Sequence, residues 1–200
     1  MILYVETNFL MSIAKGRDLQ AQEILLNIPN SIHLVVPSIC YVEALLTLEK
    51  EEQYSQRFIQ DIDTKISEAI RDETSAYAES LRTSLEQTRI KFIQQLNSVQ
   101  ERFYEAFEQL YNKAEIINID KSILDDTLEK NVLEKDLIDR LILNYIVHHA
   151  RFHNDEMKVF LSANYKEFNK GEVKEILQIY NTRYFSNTQN FLGWLNSQLS

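Results

Sequence analysis

The chain has 200 residues, of which 44% are hydrophobic and 26% are charged, and its formal net charge at pH 7 is −9. Such a length and composition are ordinary for a globular protein that buries a sizeable core, and the negative charge argues against a broad basic surface for nucleic acid. Cys40 is the only cysteine, which excludes an intrachain disulfide. No apolar stretch approaches the roughly 20 residues that span a membrane, so we expect a cytoplasmic protein with no membrane partner.

Short apolar segments alternate with helical patterns along the chain. Runs of apolar and β-branched residues predict strands at residues 2–5, 32–36, 115–119, 158–161 and 182–185. Apolar residues spaced by three and four predict helices at residues 9–14, 18–26 and 134–152, with a last helix that ends at Leu199. The expected N-caps are Asp18, Ser38 and either Ser186 or Asn187. Strands separated by helices predict an α/β three-layer sandwich built on a parallel sheet.

A long helical pattern interrupts this alternation from residue 49 to residue 113. Apolar residues recur there in steps of three and four, with charges of both signs between them, which is typical of helices that pack along a narrow seam. One straight helix would be roughly 100 Å long, so we expect a reversal near residues 72–75 or near residues 97–98. We interpret residues 1–200 as a single domain in which 49–113 is an inserted helical hairpin that faces a protein partner or a second copy.

Polar side chains follow the predicted strands at the points where they end. Glu6, Thr7 and Asn8 come directly after the first strand, and Glu43 lies one helical turn beyond the second. Ser162 and Asn164 follow the fourth strand, although these two residues could simply form a turn. Because ligands in open parallel sheets bind at the carboxyl ends of strands, we expect these groups to converge.

Three further acids are candidates for the same site. Asp136 and Asp139 lie three residues apart near the start of a predicted helix, so they share one face, and Glu167 follows Asn164 by three residues. A simpler interpretation of the two aspartates is that they complement the helix dipole. His148, His149 and His153 lack the spacing of a known metal motif, and we interpret them as solvated or dipole-compensating side chains.

The ordered motifs resemble those of the PIN-domain family of metal-dependent nucleases. The first motif of the family is an apolar strand followed by an acid, Thr or Ser, and Asn, and the second is the end of the next strand with a Glu in the helix that follows. The third motif is an Asp that opens an apolar helix. The fourth is a strand that ends in polar residues, with an acid directly before Phe. The corresponding segments here are YVETNFL at 4–10, PSICYVE at 37–43, DRLI at 139–142 and FLSANYKEF at 160–168. Two departures are Glu6, where Asp is usual, and Asn164, where Asp is frequent.

The resemblance implies a PIN-like fold and an endoribonuclease that depends on Mg²⁺ or Mn²⁺ and acts on RNA. It also implies a role as the toxin of a toxin–antitoxin pair, with an antitoxin as protein partner. The implied metal ligands are Glu6, Glu43 and Asp139; the assisting acids are Asp136 and Glu167; the orienting residues are Thr7, Asn8, Ser162 and Asn164. Because of the two departures, the alternative is a weakly active or inactive PIN-like module that binds a partner through its hairpin.

Overall fold

The computed structural model of the chain describes residues 1–129, 132–134 and 136–199. In these ranges one parallel sheet has the strand order β3-β2-β1-β4-β5. The strands are β1 (Ile2–Val5), β2 (His33–Pro37), β3 (Glu115–Ile117), β4 (Lys158–Leu161) and β5 (Thr182–Phe185). The predicted α/β class and the parallel sheet are confirmed. The second strand lies one residue later than predicted, and the third ends at Ile117 rather than at residue 119.

Helices connect the strands and cover both faces of the sheet. They are α1 (Thr7–Ala14), α2 (Leu19–Leu26), α3 (Ser38–Arg71), α4 (Ala78–Lys113), α5 (Lys121–Glu129), α6 (Leu137–Arg151), α7 (Tyr165–Phe168), α8 (Gly171–Ile179) and α9 (Thr188–Leu199). No helix is predicted from the sequence in the segments that form α5, α7 and α8. The helix predicted at 134–152 begins at Leu137 in the structure. That prediction also included Lys135, which lies outside the described residues.

The order of the strands explains the three layers. The chain runs outward from β1 through β2 to β3 and then returns to β4 on the other side of β1. Because crossovers between parallel strands are right-handed, the two directions place their helices on opposite faces. Accordingly α1, α2 and α4 pack together and α9 contacts α2, while α6 packs on α5 and β2. Covered on both faces, β1 is buried along its whole length, which is the reason for its unbroken apolar sequence.

Local capping sets several helix ends. Asp18 accepts a hydrogen bond from the Ala21 amide at 2.9 Å, as predicted. Asn187, one of the two expected caps, accepts one from the Asn190 amide at 2.8 Å. Ser38 was expected to cap α3, but Pro37 holds that position and Ser38 is the first helical residue. The fixed φ of proline favours the extended conformation that precedes a helix.

The helical hairpin consists of α3 and α4, which pack antiparallel. The chain reverses at residues 72–77, the first of the two expected positions, where Asp72 accepts hydrogen bonds from the Thr74 and Ser75 amides at 3.1 and 2.9 Å. Farther along, Phe58 meets Phe92 at 4.9 Å between ring centroids. The first hairpin helix begins at Ser38 rather than at residue 49, so it is continuous with the helix that carries Glu43.

The base of the hairpin belongs to the main hydrophobic core, whereas its far half does not. Phe103 on α4 is fully buried in the core cluster that also contains β1, β2 and β4. Phe92, by contrast, is half-buried and meets α3. Although the hairpin helices have 34 and 36 residues, none of the helices in the described ranges has an apolar stretch long enough to cross a membrane.

Truncation of Phe103 should therefore destabilise the protein much more than truncation of Phe92. We expect Phe103→Ala to lower the free energy of unfolding by about 3–5 kcal/mol, the usual cost of a large-to-small change in a packed core. Phe92→Ala is the matched control and should cost about 1 kcal/mol, because its ring is partly solvated and leaves no closed cavity. Urea unfolding followed by circular dichroism measures both values. Equal losses would mean that the hairpin base is not part of the core.

Candidate active site

The polar groups predicted from the sequence meet at the carboxyl edge of the sheet. Glu6 follows the central strand β1, whose neighbours are β2 and β4. The chain changes direction between β1 and β4, so this is the topological switch point at which open α/β sheets bind ligands. Glu43 reaches the edge from α3, and Asp139 from the first turn of α6. Ser162 and Asn164 complete the edge beyond β4.

Glu6 is the innermost acid, with 3% of its surface exposed. Its Oε2 accepts a hydrogen bond from the Asn8 amide at 2.8 Å and so caps α1. Burial raises the pKa of Glu6 to about 7, and the charges of Glu43 and Asp139 add to that shift. The Asn8 amide and the Ser162 hydroxyl oppose the shift. Its buried Oε1 has no partner in good hydrogen-bond geometry among the described residues, which is costly for a carboxylate oxygen.

Thr7 fixes the position of Glu43. The buried Thr7 hydroxyl donates a hydrogen bond to Glu43 Oε2 and lies 3.5 Å from the Cys40 carbonyl oxygen. Two helices are thereby joined, because Thr7 begins α1 and the other two residues belong to α3. With Oε2 held by Thr7, Glu43 has its remaining lone pairs for another ligand.

Asp139 is held in a similar way from the other side of the site. Asn164 Nδ2 donates a hydrogen bond to Asp139 Oδ2 at 2.8 Å. Burial raises the pKa of Asp139 to about 7, with further increases from the charges of Asp136, Glu43 and Glu167, while the Asn164 amide opposes them. The charges of Glu43 and Asp139 act on Glu6, and the charge of Glu43 acts on Asp139, as expected for carboxyl groups that face one edge of the sheet.

The other two predicted acids lie farther out. Asp136 is exposed and caps α6, since its Oδ1 accepts hydrogen bonds from the Ile138 and Asp139 amides at 3.0 and 3.1 Å. Glu167 is paired with Lys170. The charge of Glu167 raises the pKa of Asp139, and the charge of Asp139 raises the pKa of Lys170. Lys170 was not predicted as part of the site. The signal for it was the spacing of three residues from Glu167, which favours an ion pair on a helical turn.

The remaining predicted residues shape the edge through the backbone. Ser162 is buried, its Oγ accepts a hydrogen bond from the Asn164 amide at 3.0 Å, and its carbonyl oxygen accepts one from the Tyr184 hydroxyl at 3.0 Å. These contacts form a turn that presents the Asn164 side chain to Asp139. Asn8 contributes its backbone amide to Glu6, and its own side chain is exposed.

His148, His149 and His153 lie at or just beyond the end of α6 that is opposite Asp139, away from this edge. His149 is the buried one; its Nδ1 lies 2.9 Å from the Tyr4 hydroxyl, and its Nε2 lies 3.2 Å from Glu115 Oε1. Burial lowers the pKa of His149, so its neutral form is favoured there. It is thus a hydrogen-bonded side chain of the sheet's amino edge.

The chemistry of the carboxyl edge fits a divalent cation. A cation placed among three neighbouring carboxyl groups, two of which have raised pKa values, would stabilise their ionised forms. Glu6 Oε1 is a buried oxygen that has no hydrogen-bond partner among the described residues. Among the described residues, no three His, Cys, Asp or Glu side chains already stand in an arrangement that encloses an ion. Mg²⁺ requires only one or two direct carboxylates and keeps several waters, so an open arrangement is compatible with it.

Comparison with known proteins agrees with this geometry. A sequence model of the PIN domain matches residues 3–168, a range that contains every predicted site residue. A search of curated proteins found no significant match. PIN domains have nuclease-type functions in general, and they generally use divalent metal ions. The match covers most of the chain and spans the segments of all four motifs, and the chain therefore belongs to the PIN-domain family.

Proposed function

We propose that the chain is an endoribonuclease that depends on Mg²⁺ or Mn²⁺ and has Glu6, Glu43 and Asp139 as its metal ligands. The observation that carries this proposal is the buried Oε1 of Glu6, which lacks a hydrogen-bond partner within the described ranges and lies beside two other carboxyl groups. When bound, the cation supplies a water of lowered pKa and positive charge for the departing oxygen of the phosphodiester. Asp136 and Glu167 assist from the rim.

The chain's own residues prepare the carboxylates for this task. Glu6 and Asp139 titrate near neutral pH in the free protein, so each must lose a proton before it serves as a ligand. Thr7 holds Glu43 and Asn164 holds Asp139, which fixes one oxygen of each carboxylate and leaves the other for the cation. The Asn8 amide and the Ser162 hydroxyl lower the pKa of Glu6 and so favour its ionised form.

We extend the proposal to the setting of the reaction. The chain is proposed to be one PIN-like domain over residues 1–200 with 49–113 as a helical insertion, to act on RNA in the cytoplasm, and to be the toxin of a toxin–antitoxin pair. An antitoxin, another protein or a second copy would be its protein partner. The family supports the nuclease part of this proposal, and the resemblance to family toxins supports the rest.

The rival function is a PIN-like binding module with little or no activity. It is favoured by large apolar residues that the hairpin leaves exposed, among them Tyr54, Leu81 and Ile90. Calorimetric titration with Mn²⁺ separates the two functions. A nuclease of the proposed kind binds the metal at the carboxyl edge, whereas the absence of binding at millimolar Mn²⁺ would leave the binding module.

Loss of one carboxylate should abolish cleavage. Since loss of a residue that merely supports a metal ligand costs about 10- to 100-fold, we expect Asp139→Asn and Glu6→Gln to lower the rate of Mn²⁺-dependent RNA cleavage by at least about 100-fold. Asp125→Asn on the exposed surface of α5 is the matched control and should keep full activity. Cleavage by Asp139→Asn at the rate of the control would place the activity elsewhere or in a contaminant.

Metal should stabilise the protein more strongly at high pH than at low pH. The folded-state pKa values of Glu6 and Asp139 are raised to about 7, so the folded chain holds these protons more tightly than the unfolded chain does. Their contribution to stability is therefore complete below about pH 4 and is lost as the pH rises to about 7.

Thermal unfolding with and without Mn²⁺ at pH 5 and pH 8 measures this coupling. At pH 8 we expect a clear rise in Tm with Mn²⁺, and at pH 5 a much smaller one, because protons compete with the cation. Glu6→Gln should reduce both the loss of stability with pH and the effect of Mn²⁺. An equal rise in Tm at the two pH values would contradict a site made of these carboxyl groups.

Asn164 should affect metal affinity through Asp139. In Asn164→Ala the hydrogen bond to Asp139 Oδ2 is lost, so the carboxylate is less well oriented and its pKa rises further. We expect the Kd for Mn²⁺ to increase by about 10- to 100-fold. Asn154→Ala, in an exposed turn, is the matched control. An unchanged Kd in Asn164→Ala would mean that Asp139 does not bind the cation.

A further inference from the structure

The sheet has a free edge at β5 that is lined as a groove. In the described part of the chain β5 pairs with β4 and no strand follows it in the sheet. A groove of about 530 Å³ is lined by β5 together with residues from α8, α9 and the start of β4. Its lining includes Leu177 and Gln178 of α8, Trp194 and Gln198 of α9, residues 182–184 of β5, and Met157 and Lys158 where β4 begins.

The backbone of β5 has N–H and C=O groups on the side that faces away from β4. The Phe185 carbonyl oxygen accepts a hydrogen bond from the Ser162 amide at 3.1 Å, so it points toward β4. In a parallel strand, the N–H and C=O groups of one residue point to the same side, and those of the next residue point to the opposite side. Thr182 and Tyr184 therefore present their N–H and C=O groups to the groove, spaced as an incoming strand requires.

The walls of the groove are basic although the chain as a whole is acidic. Arg183 extends over the Trp194 ring, with 5.2 Å from its Cζ to the ring centroid, and Lys174 lines the α8 wall. None of the lining residues that the structure describes is acidic. Lys158 also lines the groove, but its ammonium donates to the His153 and Glu156 carbonyl oxygens, so Lys174 and Arg183 are the cations to be matched by a ligand.

We propose that the β5 edge binds an extended acidic peptide segment of a partner protein as an additional strand. Backbone pairing gives the affinity in this mode of recognition, and side chains alternate toward the two walls. An acidic residue on each face of the peptide meets one cation, Lys174 on the α8 side and Arg183 on the α9 side. This surface lies apart from the carboxylates, so the proposal does not depend on the nuclease function.

Two other occupants fit the edge less well. A second copy that paired β5 with β5 would bring the Arg183 and Lys174 side chains of both copies together, and like charges repel. Single-stranded RNA would find cations and one aromatic ring, but half of the backbone groups at the edge are carbonyl oxygens, which repel phosphates. A peptide alone satisfies both the N–H and the C=O groups of Thr182 and Tyr184.

Fluorescence of Trp194, the only tryptophan of the chain, reports directly on the groove. The probe is the synthetic peptide Val-Glu-Glu-Val-Val-Glu-Glu-Val, which places Glu on both faces in any register. We expect a saturable change in emission with the full-length protein. The same peptide with Lys in place of Glu should not bind, and a version with alternate N-methylated peptide bonds should bind at least about tenfold more weakly, since it lacks strand hydrogen bonds.

Charge reversal of the walls tests the same surface from the protein side. The double variant Lys174→Glu, Arg183→Glu should weaken binding at least about tenfold by calorimetry. Lys91→Glu on the exposed surface of α4 carries a single charge reversal outside the groove and should bind as the unchanged protein does. Circular dichroism confirms that each variant is folded.

Several outcomes would overturn the proposal. They are no emission change at millimolar peptide, equal binding by the double variant, and equal binding of the N-methylated peptide. Competition of an oligouridylate for the groove would assign the edge to RNA instead. Self-association of the unchanged protein that the acidic peptide inhibits, measured by sedimentation, would assign it to a second copy.

Discussion

The site depends on one electrostatic constraint, which is the convergence of carboxyl groups where water reaches them poorly. Glu6 is buried at the end of the central strand, and Glu43 and Asp139 raise its pKa further. Burial and repulsion between the charges both favour the protonated forms of Glu6 and Asp139, and a bound cation relieves the same repulsion. The parallel sheet makes the convergence possible, because it brings the ends of β1, β2 and β4 to a single edge.

In the part of the chain that the structure describes, neutral donors make the hydrogen bonds to these inner acids. Thr7 donates to Glu43, Asn164 to Asp139, and the Asn8 amide to Glu6. Such donors orient a carboxylate without neutralising its charge, which preserves its attraction for a metal. The positive side chain of Lys170 is paired with Glu167 at the rim. Glu43 belongs to α3, so the base of the hairpin is part of this site, whereas the far half of the hairpin and the β5 groove contain none of these acids.

The sequence predicted the parts that depend on local pattern. The apolar run at Ile2–Val5 followed by Glu6 indicated a buried strand with an acid at its end, and four such motifs in order indicated the family. It could not decide between capping and ligation for Asp136, because both roles need the same position before a helix. Nor could it reveal the contribution of Lys170 or the groove at β5, since these depend on which distant segments lie side by side.

Diffraction from crystals grown with Mn²⁺, recorded at a wavelength where manganese scatters anomalously, is the most direct test of the central claim. We expect an anomalous peak at about 2.1 Å from carboxylate oxygens of the cluster, with Glu6 Oε1 among them. A peak at Glu115 and His149 instead, or none near Glu6, Glu43 and Asp139 at a Mn²⁺ concentration that supports RNA cleavage, would contradict it.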